Sequence, residues 1–270
     1  MFTVLGASGF IGSHLVEYLK NSQTDYYAPK RGDSEIFSRP LGDVIYCIGL
    51  TADFRSRPLE AAEAHVGVLT KILKKGKFDS FLYLSSTRVY EGSISTDESA
   101  SLTVNPTNPN HIFNLTKLTG EACCLSEGNN KIRIARVSNV LGSDYGSENF
   151  VFSVMRDLVL SKSVKVLTTP TSSKDYILVD DVVHLLPKIS SRGKEQIYNV
   201  ASGSNLTNEE LLRKIASVSG GQITYLEEAA EICFPPISVD KIRREFKFEP
   251  KEVLEGIGQI YSGFERHLKG

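Results

Sequence analysis

Gly6, Gly9 and Gly12 follow the apolar run at 2–5 and open a stretch of helical spacing, in the segment LGASGFIGSHL. After a buried strand, the first glycine permits a tight turn and the second lets the backbone approach a pyrophosphate. The third lets helix and strand pack closely. A helix starting there offers unpaired N–H groups and a partial positive charge, so Ser8, Gly9, Phe10 and Ile11 are candidates to cradle a dinucleotide. An NAD site carries an acid for the ribose 2′-hydroxyl about 20 residues further on. Here the segment APKRGD puts Lys30 and Arg31 at that place. Two cations, one of them a planar fork, suit a 2′-phosphate, so NADP is the expected cofactor. The alternative is NAD, with Asp33 or Glu35 on the hydroxyl. Two further places could do chemistry: Ser86 and Thr87, where the run FLYLSS ends, and Lys117, one helical turn after Phe113 in HIFNLTKLTGE.

These residues need rigid elements to hold them. Short apolar strands are expected at 2–5, 25–30, 43–50, 81–86 and 132–137, with helices at 10–21, 58–75 and 109–127 between them. That alternation predicts a doubly wound parallel sheet, an α/β Rossmann arrangement spanning 1–142 with a return at about 177–200. Gly49, near the end of the third strand, joins the expected cofactor-binding set. Beyond SNVLG the pattern loosens: a helix near 149–161, a strand at 164–167, the segment KDYILVDDVVHLL and a strand at 197–201. Thr207 and Glu210 then form a capping box, with Leu211, Leu212, Ile215 and Val218 as the buried stripe. In helix 58–75 the stripe reads Leu59, Ala62, Val66, Leu69 and Leu73, and in the last helix Val253, Ile257, Ile260, Phe264 and Leu268. No Gly/Ser/Pro-rich linker separates the halves, so 143–176 and 201–270 are expected to interleave into a smaller substrate-binding lobe.

Composition narrows the function. The chain has 270 residues, 41% of them apolar, enough for a sizeable core. A net charge of −1 gives no reason to expect nucleic acid or an anionic membrane as partner. Four cysteines without CxxC spacing suggest a reduced, cytoplasmic protein without a structural metal. The N-terminus lacks a basic region before an apolar one, and no apolar run approaches spanning length.

Taken together, GASGFIGSHL, YLSSTRVYEG, NLTKLTGE, RVSNVLG, KDYILVDDVV, YNVASG and ISVDKIRREFKFEP resemble the extended short-chain dehydrogenase/reductases, the nucleotide-sugar epimerase/dehydratase/reductase superfamily. The resemblance runs along nearly the whole chain. It implies that Ser86 holds the sugar oxygen being oxidised or reduced, and that Lys117 holds the nicotinamide ribose. It places Asn139 against the hexose or its diphosphate, and Lys174 where relatives carry an Arg that clamps the diphosphate. His65 replaces an Asn of the family and reads as a partly buried helix residue. The family's dehydratases carry an acidic pair directly after the Ser or Thr. Thr87 and Arg88 stand there, which disfavours elimination of a sugar hydroxyl. A homodimer through helices 58–75 and 109–127 is also implied.

Phe113 departs from the pattern. The family's Tyr at this position gives or takes a proton while hydride moves, with Lys lowering its pKa, and a phenyl ring cannot do so. A positioned acid contributes about 10²–10⁴-fold, so the chain should be impaired in ordinary chemistry. Three accounts are open: a Tyr-to-Phe variant that keeps ligand binding, a substitute acid among Tyr90, Tyr145 and Tyr176, or a catalytically silent NADP-binding protein. NADP suits net reduction, so the expected activity is reduction of a 4-keto nucleotide sugar, with an NAD(P)-dependent nucleotide-sugar epimerase as the alternative.

Overall fold

The computed structural model describes residues 1–270. In chain order the elements of the first half are β1 (Phe2–Leu5), α1 (Phe10–Asn21), β2 (Tyr26–Tyr27), β3 (Asp43–Tyr46), α2 (Pro58–Ala62), α3 (Val68–Lys75), β4 (Ser80–Ser86), α4 (Ile112–Ser126) and β5 (Ile132–Val137). Then come β6 (Asn139–Leu141), α5 (Phe150–Ser161), β7 (Ser163–Thr168), β8 (Ser173–Leu178), α6 (Val179–Arg192) and β9 (Ile197–Val200). The chain closes with β10 (Asn205–Thr207), α7 (Asn208–Ser219), β11 (Gln222–Ala230), α8 (Asp240–Phe246) and α9 (Val253–Lys269).

Six strands form one parallel sheet in the order β2-β1-β3-β4-β5-β9. Both faces are covered, and the strands alternate accordingly. Leu82 and Leu84 of β4 join a core with Leu15, Leu19 and the α6 residues Val182 and Leu186. Phe81 and Tyr83 point the other way, into a core with Leu69, Ile72 and Cys124 of α3 and α4. The order reverses at β1, whose neighbours are β2 and β3, so a crevice opens beyond the carboxyl ends of β1 and β3. Two smaller sheets, β10-β8-β6 and β11-β7, lie outside this one. With α5, α7 and α9 they enclose a separate core built on Phe152, Met155, Ile215, Ile257 and Phe264.

Several expectations shift in detail. The second strand, expected at 25–30, is only Tyr26–Tyr27, because Pro29 has no N–H to extend the ladder. The third ends at Tyr46, and Cys47, Ile48 and Gly49 leave the sheet to border the crevice. The expected helix 58–75 carries a π-turn, Glu63–Gly67, between α2 and α3. The wider turn rotates the buried stripe onto Ala61, His65, Leu69 and Ile72, and Leu59 stands 81% exposed. Val218, near the end of α7, emerges from cover at 37% exposure, whereas the Thr207–Glu210 capping box and the buried Leu211, Leu212 and Ile215 form as expected. The loosely patterned KDYILVDDVVHLL resolves into the end of β8 followed directly by α6. No helix is long and apolar enough to cross a membrane.

Candidate active site

A cleft of about 440 Å³ opens at the carboxyl ends of β1, β3, β4 and β5. Its floor begins with the glycine turn. Gly6 sits at φ +85°, and a Cβ there would lie 2.9 Å from the backbone of Cys47 and Ile48. At Gly12 a Cβ would fall 2.2 Å from the Gly6 carbonyl oxygen, so both positions need glycine for the fold itself. Gly9 differs. Its backbone is extended (φ −82°, ψ 172°), and a Cβ would meet only the Gly6 oxygen, at an ordinary 3.4 Å. The protein's own packing therefore does not require glycine at 9. Gly9 is the N-cap of α1 and provides no capping side chain, so the first N–H groups of the helix face the cleft that Gly9, Phe10 and Ile11 line. Ser8 is exposed in the turn.

Lys30 and Arg31 follow β2 and are exposed. The acids beside them are occupied. Asp33 accepts from the Tyr27 hydroxyl at 2.8 Å and from the Glu35 N–H at 2.9 Å, and Glu35 lies 3.7 Å from Arg39.

On α4, Lys117 is 4% exposed, and its Nζ donates to the Leu84 carbonyl at 2.8 Å. Burial draws its pKa down to about 7, opposed in part by the charge of Glu121. An ammonium carries three donors, and one is used by that carbonyl. Gly49 lies alongside: a Cβ there would stand 3.4 Å from Lys117 Nζ and 3.3 Å from His65 Nε2. The position of α4 is fixed by a buried network. Arg136 of β5 grips Glu121 through Nε and Nη2 at 2.7–3.2 Å, and the Ser85 hydroxyl donates to the same carboxylate at 2.5 Å.

Ser86 ends β4 in the cleft, and its Oγ accepts the Arg88 N–H at 3.2 Å. Thr87 is buried and lines only a smaller adjoining cavity of about 90 Å³, together with Ser86, Asn139, Lys174 and Asp175. Asn139 is exposed to the cleft and donates from Nδ2 to the Asp175 carbonyl at 2.8 Å. Lys174 on β8 lies 5.9 Å from the Phe150 and Phe234 ring centroids, and burial lowers its pKa.

Phe113 borders the cleft but is only 3% exposed. It packs against Phe54 at 5.2 Å and edge-on to His65 at 5.4 Å. His65 is fully buried in the π-turn, more so than the partly buried helix position expected of it. The Thr116 hydroxyl donates to the Ile112 or Phe113 carbonyl, so it accepts from His65 Nδ1–H, and Nε2 accepts from the Leu50 N–H at 3.2 Å. Burial, with the Lys117 charge, holds this imidazole neutral, its pKa drawn down to about 2. Of the three tyrosines considered as substitute acids, Tyr90 is held between Arg136 and Asn199 at 2.8 Å each, and its pKa is pushed up to about 12, chiefly by burial. Tyr145 stacks on His267 near α9, away from the cleft. Tyr176 alone lines it.

The structure thus brings Gly9, Phe10, Ile11, Gly49, Ser86 and Lys117 to one cleft with Phe113, Asn139 and Lys174. Arg88 and Arg55 share its wall, although their sequence context gave no sign of it beyond the absence of the dehydratase acid pair.

Residues 2–201 match the family described as NAD dependent epimerase/dehydratase. The chain belongs to that family. GDP-6-deoxy-D-mannose reductase of Pseudomonas aeruginosa is 26% identical over 260 residues, covering 85% of this chain and 83% of the relative. Among solved structures, RMD from Pseudomonas aeruginosa complexed with NADPH superposes with a TM-score of 0.79 at 23% identity, over 98% and 99% of the two chains. A UDP-glucuronic acid 4-epimerase from Bacillus cereus, solved as a Tyr-to-Phe mutant with UDP-4-deoxy-4-fluoro-glucuronic acid and NAD, superposes with a TM-score of 0.81 at 19% identity over 99% of each chain.

Proposed function

We propose that the protein binds NADP along the crevice and reduces a keto carbon, at C4, of a nucleotide-linked sugar. The observation that carries this reading is the meeting of an uncapped helix N-terminus, the Lys117 ammonium and the Ser86 hydroxyl in one cleft. The chain's residues fit the dinucleotide. Gly9 is a glycine that the fold does not demand, as an approaching pyrophosphate would, and the α1 N–H groups complement that anion. Lys30 and Arg31 are exposed cations beside acids already engaged, which favours a 2′-phosphate over a 2′-hydroxyl. When bound, NADPH supplies the hydride that reduces the carbonyl.

The rest is done by side chains. Lys117 holds the nicotinamide ribose with the donors that Leu84 leaves over. Ser86 donates to the sugar carbonyl oxygen and stabilises negative charge as it develops there. Lys174 faces the diphosphate from the smaller lobe, 143–176 and 201–270, and Asn139, at the end of the larger one, faces the hexose or its diphosphate. Phe113 supplies no proton, so the alkoxide takes its proton from water and turnover is slow. Thr87 and Arg88 offer no acid–base pair for elimination, which sets dehydration aside. An epimerase remains the alternative on this scaffold. The tight packing of Phe113 with Phe54 and His65 favours a second reading, a catalytically silent NADP-binding protein.

One assay separates these readings. With a 4-keto sugar nucleotide and NADPH, Phe113→Tyr should raise the rate of NADPH consumption by about 10²–10⁴-fold over the unaltered chain. Interconversion of two sugar nucleotides without NADPH use would favour the epimerase, and binding without turnover in either form would favour the silent protein. The same reading includes a homodimer through α2–α3 and α4, a seam in which the exposed Leu59 finds cover. Leu59→Asp should then sediment as a monomer.

A further inference from the structure

Besides Lys117, three cations line the cleft: Arg55, Arg88 and Lys174. The guanidinium carbons of Arg55 and Arg88 lie 4.6 and 5.1 Å from the Phe54 ring centroid, and Arg88 also lies 5.9 Å from that of Phe113. Counter-charge is sparse. Glu91 Oε2 stands 3.5 Å from Arg88 Nε, but it also accepts from Asn114. The cleft lining also includes Asp144 and Glu148, and Glu148 is paired with Arg156 at 2.8 Å. Arg55 Nε donates to Asn110, whereas Arg88 Nε is buried without a hydrogen-bond partner. Burial lowers the pKa of both Arg88 and Lys174, and the repulsion of neighbouring cations adds to it. Like charges gathered on a half-buried wall are unfavourable alone, and an anion between them relieves the cost.

The diphosphate of the proposed substrate accounts for Lys174. It does not account for the two arginines. The Arg88 N–H is bonded to Ser86 Oγ, which fixes this residue next to the group that would hold the reacting sugar oxygen. Its guanidinium carbon lies 5.9 Å from the Phe113 ring centroid, on the side of the cleft where Ser86 ends β4. A planar fork with an unused N–H, supported by two aromatic faces, is suited to bidentate recognition of a carboxylate. We infer that Arg88, backed by Arg55, binds a carboxylate on the sugar ring, so that the substrate is a nucleotide-linked uronic acid or its keto derivative. The inference rests on the proposed function and narrows it to one class of sugar.

The test is calorimetric titration of NADP-saturated protein with two pairs of ligands, UDP-glucose against UDP-glucuronate and GDP-mannose against GDP-mannuronate. In the pair that binds, the uronate should bind about ten- to a hundredfold more tightly, the range of a charged hydrogen bond. Arg88→Gln should bring that ratio close to one and leave the neutral sugar's affinity unchanged, and Arg88→Lys should keep only part of the preference. Arg55→Gln, at an exposed position, should reduce the ratio without disturbing the fold. Equal affinities in the unaltered protein would overturn the inference. An equal loss for both members of a pair in Arg88→Gln would do so too, because the guanidinium would then serve the diphosphate. Binding of NADP with no binding of any of the four sugar nucleotides would overturn the proposed function and this inference together.

Discussion

Lys117 has no salt bridge in its burial, and this gives the residue a measurable signature. Its pKa falls from 10.5 to about 7, mainly through loss of solvation. Between those values the unfolded chain holds a proton that the folded one has shed. Stability should therefore rise as pH increases from about 7 toward 10, and this contribution should be flat below 7. Denaturant titrations across that range should show the slope in the unaltered protein and its absence in Lys117→Met. Gly9 and Gly12 make a second contrast at this scale. Gly12→Ala sets a Cβ 2.2 Å from the Gly6 oxygen and should lower the melting temperature, whereas Gly9→Ala meets nothing closer than 3.4 Å and should leave it unchanged. The sequence showed the three glycines, Ser86 and Lys117 directly, because their spacing is local. Arg55 and Arg88 were not legible as part of the site, because Arg88 meets the Phe54 and Phe113 rings only when three segments distant in the chain pack together.

At the scale of elements, the helix bearing Lys117 is held to the sheet by a buried ion pair. Arg136 and Glu121 are each 4% exposed in their side chains and bonded through two nitrogens of the guanidinium. Arg136→Met would leave the Glu121 carboxylate with the Ser85 hydroxyl alone, and breaking such a pair costs about 3–5 kcal/mol. Chemical denaturation should show that loss, and NADPH affinity should fall with it, because Lys117 would lose its alignment with the Leu84 carbonyl. The short β2 delivers Lys30 and Arg31, so Arg31→Ala should weaken NADPH binding with little effect on NADH. Element types were largely readable from periodicity, and element ends were not. Pro29 cuts the second strand, and the π-turn at Glu63–Gly67 rotates a stripe that spacing alone assigns to Leu59, Ala62 and Val66. The small strands β6, β8 and β10 escaped detection, because three to six residues of mixed polarity give no clear period.

For the whole molecule, the parallel sheet and the separate core of α5, α7 and α9 border one cleft, with Ile11 and Phe152 both on its wall. A ligand bound there should stabilise the chain by about 2.7 kcal/mol at a hundredfold excess over its Kd. The fold class was legible because alternating strands and helices admit few topologies. The substrate was not, because the contacts that would select it come from side chains of several distant segments. The most direct test of the central claim is a fluorescence titration of NADPH into the unaltered protein and into Gly9→Ala, with thermal melts of both. Binding to the unaltered chain should be saturable, and binding to Gly9→Ala should be at least about tenfold weaker at the same melting temperature. Failure of the unaltered chain to bind NADPH, or equal binding by the two proteins, would contradict it.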